Sequence, residues 1–154
     1  MTSTVHASPD VDVDRQSRTP PGIALIVRRP DFDFSTLPKY WFDGNPWKTH
    51  FGTALMLVFP SGEKFVVRGV RNYRGQITDP KLKMEVTRFC GQESLHSREH
   101  TKLNEVLFQH FPRLRAVERF QDTVLEGMAR VLPESFQLAL SASIEHLTSS
   151  FGHQ

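Results

Sequence analysis

The sequence has almost none of the features that mark secreted or membrane proteins. Cys90 is the single cysteine among 154 residues, so no internal disulfide can form and a disulfide-stapled scaffold is excluded. No apolar run approaches the ~20 residues that a transmembrane helix needs. The N-terminal residues also lack the basic and apolar regions of a secretory signal. These absences predict a soluble, cytoplasmic protein with no transmembrane segment.

An excess of charge of one sign is lacking as well. There are 19 basic and 17 acidic residues, a formal net charge of +2, and no long basic run, so nucleic-acid binding is not expected. Apolar material is present, because 38% of the residues are hydrophobic and twelve are Phe. We therefore predict one domain over residues 23–154, preceded by a polar, disordered tail over residues 1–22.

Helical periodicity dominates the rest of the chain. Apolar residues recur every three or four positions, and alternation with period two is scarce. Asp79-Pro80 has the cap and the first-turn proline of a helix start, whereas Pro112 and Pro133 separate later helices. Pro60 predicts either a kink or a new helix start. The predicted fold class is all-α, a helix bundle with almost no strand.

Large aromatic rings cluster before the first predicted helix. Residues 31–46 contain two prolines and a glycine, and they read as an ordered loop. Tyr40, Trp41, Phe42 and Trp47 carry more apolar ring surface than water tolerates cheaply. We therefore expect these rings to pack on the domain.

Polar residues interrupt the apolar stripes of two helices. Glu93, His96 and His100 occupy the positions between Phe89 and Leu103 that should face the core. Glu63 interrupts the stripe of the preceding helix in the same way. Buried carboxylates are costly unless they are paired or bound to a metal, so a shared metal ion is the simplest partner.

Two arrangements of metal ligands compete. A di-metal carboxylate bundle needs a Glu from each of two helices and Glu-x-x-His from each of two more. Glu63, Glu93-x-x-His96 and Glu145 in the last helix supply three of these parts, and a second Glu-x-x-His is absent. Glu145 lies at the edge of its apolar stripe, so its burial is less certain than that of Glu63.

The second arrangement is the pattern HxxEH. His96, Glu99 and His100 match it, and there two His ligands hold one zinc ion while the Glu acts as a base. Glu99 falls off the apolar stripe, however, so we expect it to be solvated. A third alternative is a helical interaction protein that binds no metal.

A longer run of motifs resembles one family. The motifs are YWF at 40–42, GNP at 44–46, FPSGE at 59–63, RGVR at 68–71, ITDP at 77–80, and GQE at 91–93 with His96 and His100. Over about residues 27–151 the chain resembles the bacterial proteins described as predicted metal-dependent hydrolases, a ferritin-like group.

The resemblance implies a ferritin-like bundle with metal ligands at Glu63, Glu93, His96 and Glu145, and His100 matches the motif as well. It implies iron or manganese, with zinc as the alternative, and an unknown small-molecule substrate. Ferritin-like sites also activate dioxygen, so both hydrolysis and oxygen chemistry stay open. Members of the family resemble a longer chain with one more metal-bearing helix. We therefore expect an incomplete bundle with exposed apolar surface, and a homodimer.

Two arginines lie close to Glu63 along its helix. Arg68 and Arg71 could orient an anionic substrate. Surface arginines are more often solvated or paired with acids, and that is the expectation here.

Overall fold

The computed structural model describes residues 16–151, and these residues form four helices and no strand. The all-α prediction is confirmed. The first fifteen residues of the predicted tail lie outside the described residues. No helix of the described part of the chain is long and apolar enough to cross a membrane. The helices are α1 (Pro46–Arg71), α2 (Pro80–His110), α3 (Leu114–Val131) and α4 (Glu134–Phe151), with a 3-10 turn at Arg74–Gln76.

Side-chain caps define where α1 and α2 begin. The Asn45 side chain accepts from the backbone N–H groups of Trp47 and Lys48 at 2.9 and 3.1 Å. The Asp79 side chain accepts from the N–H of Lys81 at 2.8 Å. Both caps satisfy donors that a helix end otherwise leaves unpaired. The helix start predicted at Asp79-Pro80 is therefore where α2 begins.

Pro60 lies inside α1 and does not end it. Proline has no N–H, so the carbonyl oxygen of Met56 loses its usual partner four residues on. The fully buried side chain of Asn104, on α2, donates to that oxygen at 3.2 Å. Ser97 Oγ donates to the carbonyl oxygen of Pro60 at 3.2 Å. Two side chains of α2 thus support α1 at its proline, one turn before Glu63.

The other three helices all pack against α1, and α2 has the most extensive contact with it. Burial of apolar side chains along this contact is the main favourable contribution to folding. The buried apolar residues of the described chain are Leu57, Phe65, Val66, Val67, Cys90, Leu103, Leu107, Phe108 and Ala129.

Helix α4 approaches α1 closely at a glycine. A Cβ atom added to Gly69 would lie 2.9 Å from Ser141 Oγ and 3.3 Å from the carbonyl oxygen of Gln137. Real Cβ atoms do not tolerate the first distance, so the close approach requires glycine. The small residues of α4 therefore bring its backbone against α1.

Residues 16–45, here called the strap, run along α2 in the same direction as the helix. Thr19 accepts from Lys81, Arg28 donates to Gln92, and later strap residues reach the helix end. Most of these bonds use backbone atoms of the strap. Described residues of the predicted tail, from 16 to 22, belong to this segment.

The aromatic loop is ordered, but its rings are only partly covered. Trp41 donates its Nε1–H to Thr53 Oγ1 at 3.1 Å and lies against Gly52. The Trp47 side chain is 77% exposed, and it stacks only on the exposed ring of Phe51. The expectation that all four rings pack on the domain is therefore wrong for Trp47. Trp47 lies in the first turn of α1.

Helix α3 turns its apolar stripe outward. The four exposed apolar residues of this helix are Val117, Phe120, Val124 and Val131. Its contact with α1 uses Ala129, which is buried, and a hydrogen bond from Ser61 Oγ to the Asp122 carboxylate. The apolar surface that we expected an incomplete bundle to expose is present on α3.

Candidate metal centre

Four polar side chains of α1 and α2 lie close together, and a fifth, on α4, is near enough to interact with them electrostatically. Glu63 comes from α1, Glu93, His96 and His100 come from successive turns of α2, and Glu145 comes from α4. Positions three or four apart in a helix share one side, so α2 presents its three groups together.

Glu63 is the centre of the group. Its Oε1 atom lies 3.0 Å from His96 Nδ1 and 3.8 Å from His100 Nε2. The Nε2 atoms of the two His rings are 3.0 Å apart. One ligand atom from each of these three residues lies within 4.8 Å of the other two, which is close enough for one metal ion.

The Glu63 carboxylate is buried, and its close partner is His96. Its relative exposure is 5%, Oε1 is ion-paired with His96 Nδ1 at 3.0 Å, and within the described chain no well-aligned hydrogen bond reaches either oxygen. Burial raises the pKa of Glu63, and His96 offsets this only in part. A buried carboxylate beside two imidazoles is a donor set that suits a divalent transition metal. The residues therefore fit a metal ion.

The two imidazoles differ in charge state. The carboxylates of Glu63 and Glu93 raise the pKa of His96 to about 10. Burial and the neighbouring His96 lower the pKa of His100 to about 4. The ring of Phe59 stacks on His100 with 4.5 Å between centroids. His100 is therefore held as a neutral ring, the form in which imidazole binds metals.

Glu93 and Glu145 complete the acidic side of the group. Glu93 Oε2 lies 3.6 Å from His96 Nδ1. Burial and the charges of Glu93 and Glu63 raise the pKa of Glu145. The last helix thus brings its acid close enough to interact with the acids of α1 and α2. Three carboxylates in one place repel one another unless a cation lies between them.

The group is buried on one side and open on the other. Glu63, Glu93 and His100 are enclosed by the helices, but the His96 side chain is 49% exposed. The expectation that all of the α2 residues face the core is therefore wrong for His96. Helix α4 makes its extensive contact with α1, so it leaves this edge of α2 uncovered. The opening gives a small molecule access to the group.

Glu99 is buried and held by the strap. Only 4% of it is exposed, so the expectation that it is solvated is wrong. It accepts from the N–H of Phe32 at 3.1 Å and pairs with Arg98 and Lys102. Burial opposes ionisation, but these three donors outweigh it and lower the pKa of Glu99. A carboxylate engaged in this way is poorly suited to act as a base beside His96.

A cavity lies beside the group. It has a volume of about 450 Å³, lies between α1 and α2, and has Glu63 and Glu93 in its wall. Lys64, Arg68 and Arg71 line it as well. The sequence contained a signal for this cationic wall, because spacings of four and three residues put the three cations on one side of α1.

The comparisons with known proteins identify a family. A family model described as "Predicted metal-dependent hydrolase" matches residues 26–154. No curated protein matches the chain, and no solved structure does. The matched range contains the strap from residue 26, all four helices and every residue of the Glu and His group. The chain therefore belongs to the family of predicted metal-dependent hydrolases.

Proposed function

We propose that the chain is a hydrolase of ferritin-like type whose di-metal site uses Glu63, Glu93, His96, His100 and Glu145. Iron or manganese is the proposed metal, and the substrate is a small molecule. The observation that carries the proposal is the buried carboxylate of Glu63, which lies with His96 and His100 in a group compact enough to hold one ion. A buried acid of this kind is expensive, and a bound cation removes the cost.

The residues of the group divide into two kinds. Glu63, His96 and His100 are close enough to share one ion. Glu93 and Glu145 lie on the acidic side, where they would hold a second ion or bridge the two. A bound divalent ion supplies Lewis acidity, which activates water and polarises a substrate oxygen. The stacked Phe59 fixes the orientation of His100, and the open edge at His96 admits the substrate.

Oxygen activation is the second candidate function. The donor set of carboxylates with two imidazoles also suits iron. An iron-loaded chain that consumes oxygen in the presence of a reductant, and hydrolyses none of the tested esters, would favour this function.

The mononuclear zinc alternative requires Glu99 beside His96 and His100. The hydrogen bond that Glu99 accepts from Phe32 of the strap and its ion pair with Arg98 count against it. In a chain that binds no metal, which is the third alternative, no substitution of these residues would change metal content.

Metal content tests the proposal directly. We expect plasma mass spectrometry of the purified chain to find about two iron or manganese ions per chain, and Glu63→Ala to lose most of them. Glu93→Ala should lose metal as well. Glu105→Gln is the matched control, since Glu105 is an exposed acid that pairs with Arg115. It should leave the metal content unchanged.

Other outcomes favour the alternatives. One zinc ion that survives Glu63→Ala and Glu93→Ala but decreases in His100→Ala would favour the HxxEH site. Equal metal content in Glu63→Ala and Glu105→Gln, with no zinc lost from His100→Ala, would contradict every site described here.

We also propose that the chain forms a homodimer through α3. The exposed apolar residues Val117, Phe120, Val124 and Val131 support this, because their spacing puts them along one side of the helix. Contiguous apolar surface of this kind is rare on soluble monomers.

A further inference from the structure

The cavity between α1 and α2 has three cations in its wall, and none of them forms an ion pair within 4 Å in residues 16–151, although Lys64 attracts Glu118 at longer range. The three cations are Lys64, Arg68 and Arg71. Arg115, by contrast, pairs with Glu105 at 2.6 Å. Unpaired cations that line a concave surface attract anions more strongly than the same charges on a convex one.

Their position on the helix makes this arrangement unfavourable without an anion. Lys64 and Arg68 are four residues apart and Arg71 follows three later, so like charges stand on adjacent turns of one side. The negative end of the helix dipole favours Arg68 and Arg71 in the last turn of α1. That effect falls off within one turn and does not reach Lys64.

The neighbouring cavity between α1 and α3 provides a contrast. It is of similar size, about 410 Å³, and it shares Lys64 and Arg68. Its wall also contains Asp122 and Glu126, and the latter pairs with Arg130. In this second cavity an acid already neutralises Arg130, whereas no cation of the α1–α2 cavity forms an ion pair in the described part of the chain.

In the α1–α2 cavity the only acids are Glu63 and Glu93, and both lie against His96. The side chain of Asn72 adds a neutral donor beside the cations. One end of the cavity is thus the candidate metal centre, and the other end is cationic.

We propose that this cavity binds the anionic group of the substrate, a phosphate or a carboxylate, with Arg68 and Arg71 as its main contacts and Lys64 as a further charge. Guanidinium groups match both oxyanions with paired hydrogen bonds. Calling the anion a substrate group rests on the proposed hydrolase function, but the binding of an anion requires only the cations. A substrate held there would have its anionic end in the cavity and its reacting bond beside Glu63 and Glu93.

Calorimetric titration tests the proposal without an activity assay. Inorganic phosphate and, separately, acetate are titrated at constant ionic strength into the full chain, whose metal content is measured in parallel. The variants are Arg68→Gln, Arg71→Gln and the double variant, since Gln keeps the helix propensity of Arg. Arg130→Gln is the matched control, because it removes the same charge from the adjoining cavity. Thermal melting checks that each variant is folded.

We expect each cavity variant to weaken binding of the preferred anion about tenfold and the double variant about a hundredfold, whereas Arg130→Gln changes it less than about twofold. A preference for phosphate would identify a phosphate ester as the substrate class, and a preference for acetate would identify a carboxylate. Equal effects of Arg68→Gln and Arg130→Gln, or no binding of either anion by the unmodified chain, would overturn the proposal.

Glu63→Ala separates this proposal from the proposed function. It should lose metal and still bind the anion. If Glu63→Ala keeps its metal while the arginine variants lose the anion, the proposed site of hydrolysis fails and the anion site stands.

Discussion

The two helices that pack on either side of α1 differ in which groups they bury. On the side of α2, polar groups are buried, among them Glu63, Ser97 and Asn104. On the side of α3, apolar groups are exposed, and Phe120 has 69% of its surface open to water. A helix whose apolar stripe faces outward is stabilised by contacts other than that stripe. The comparison teaches that periodicity identifies a helix but does not tell which side of it packs on the domain.

The largest expected effect on the free energy of unfolding comes from shortening a buried side chain on α2, in comparison with an exposed one on α3. Leu107 is fully buried in the contact of α2 with α1, so Leu107→Ala should lower the free energy of unfolding by about 2–5 kcal/mol. Val124→Ala on α3 should change it by less than about 0.5 kcal/mol. Urea unfolding followed by circular dichroism, at a protein concentration where the chain is monomeric, measures both. Similar losses in the two variants would mean that the monomer itself buries the apolar stripe of α3, and the comparison would break.

A smaller effect on stability is expected when either of two glycines inside helices is replaced by alanine. In Gly69→Ala the new Cβ meets Ser141 and the backbone of Gln137, and overpacking of this kind costs about 1–3 kcal/mol. In Gly127→Ala the new Cβ on α3 meets nothing within 4 Å, so better helix propensity should raise stability by up to about 1 kcal/mol. Thermal melting should show opposite signs. A gain in both variants would show that α4 does not dock on α1 at this glycine.

The smallest expected effect on folding is at Phe120, although its effect on association is large. Phe120→Glu should leave the free energy of unfolding of the monomer almost unchanged and weaken self-association at least about tenfold. Analytical ultracentrifugation over a range of concentrations measures this. Gln109→Glu adds the same charge on α2 and should associate as the unmodified chain does. If the unmodified chain is already a monodisperse monomer, the homodimer is wrong.

Local signals accounted for most of the fold. The start of α2 followed from Asp79-Pro80, and its end from Pro112, because caps and prolines act within a few residues. Whether the helix would continue through Pro60 could not be predicted from local signals. Whether a helix continues through proline depends here on Asn104, which is 44 positions away in the sequence and reaches the freed carbonyl only in the folded state.

The residues of the candidate site were also predicted from helical periodicity. The wrong prediction for Glu99 and the open outcome at Pro60 have the same cause, a contact with a distant part of the chain. Glu63, Glu93 and His100 interrupt apolar stripes and meet in the structure, although their assignment as metal ligands stays a prediction. Glu99 is off the stripe as predicted, yet it is buried, because the strap covers it. The periodicity of α2 cannot show that a segment 67 residues earlier in the chain covers Glu99.

The strap is held to α2 mainly through its own backbone. The N–H groups of Arg28 and Phe32 and the carbonyl oxygen of Pro30 bond side chains of the helix. Several strap side chains, such as that of Ile26, remain exposed. The side chains of α2 therefore specify most of this contact, so substitutions of exposed strap residues should disturb it less than substitutions of Gln92 or Glu99.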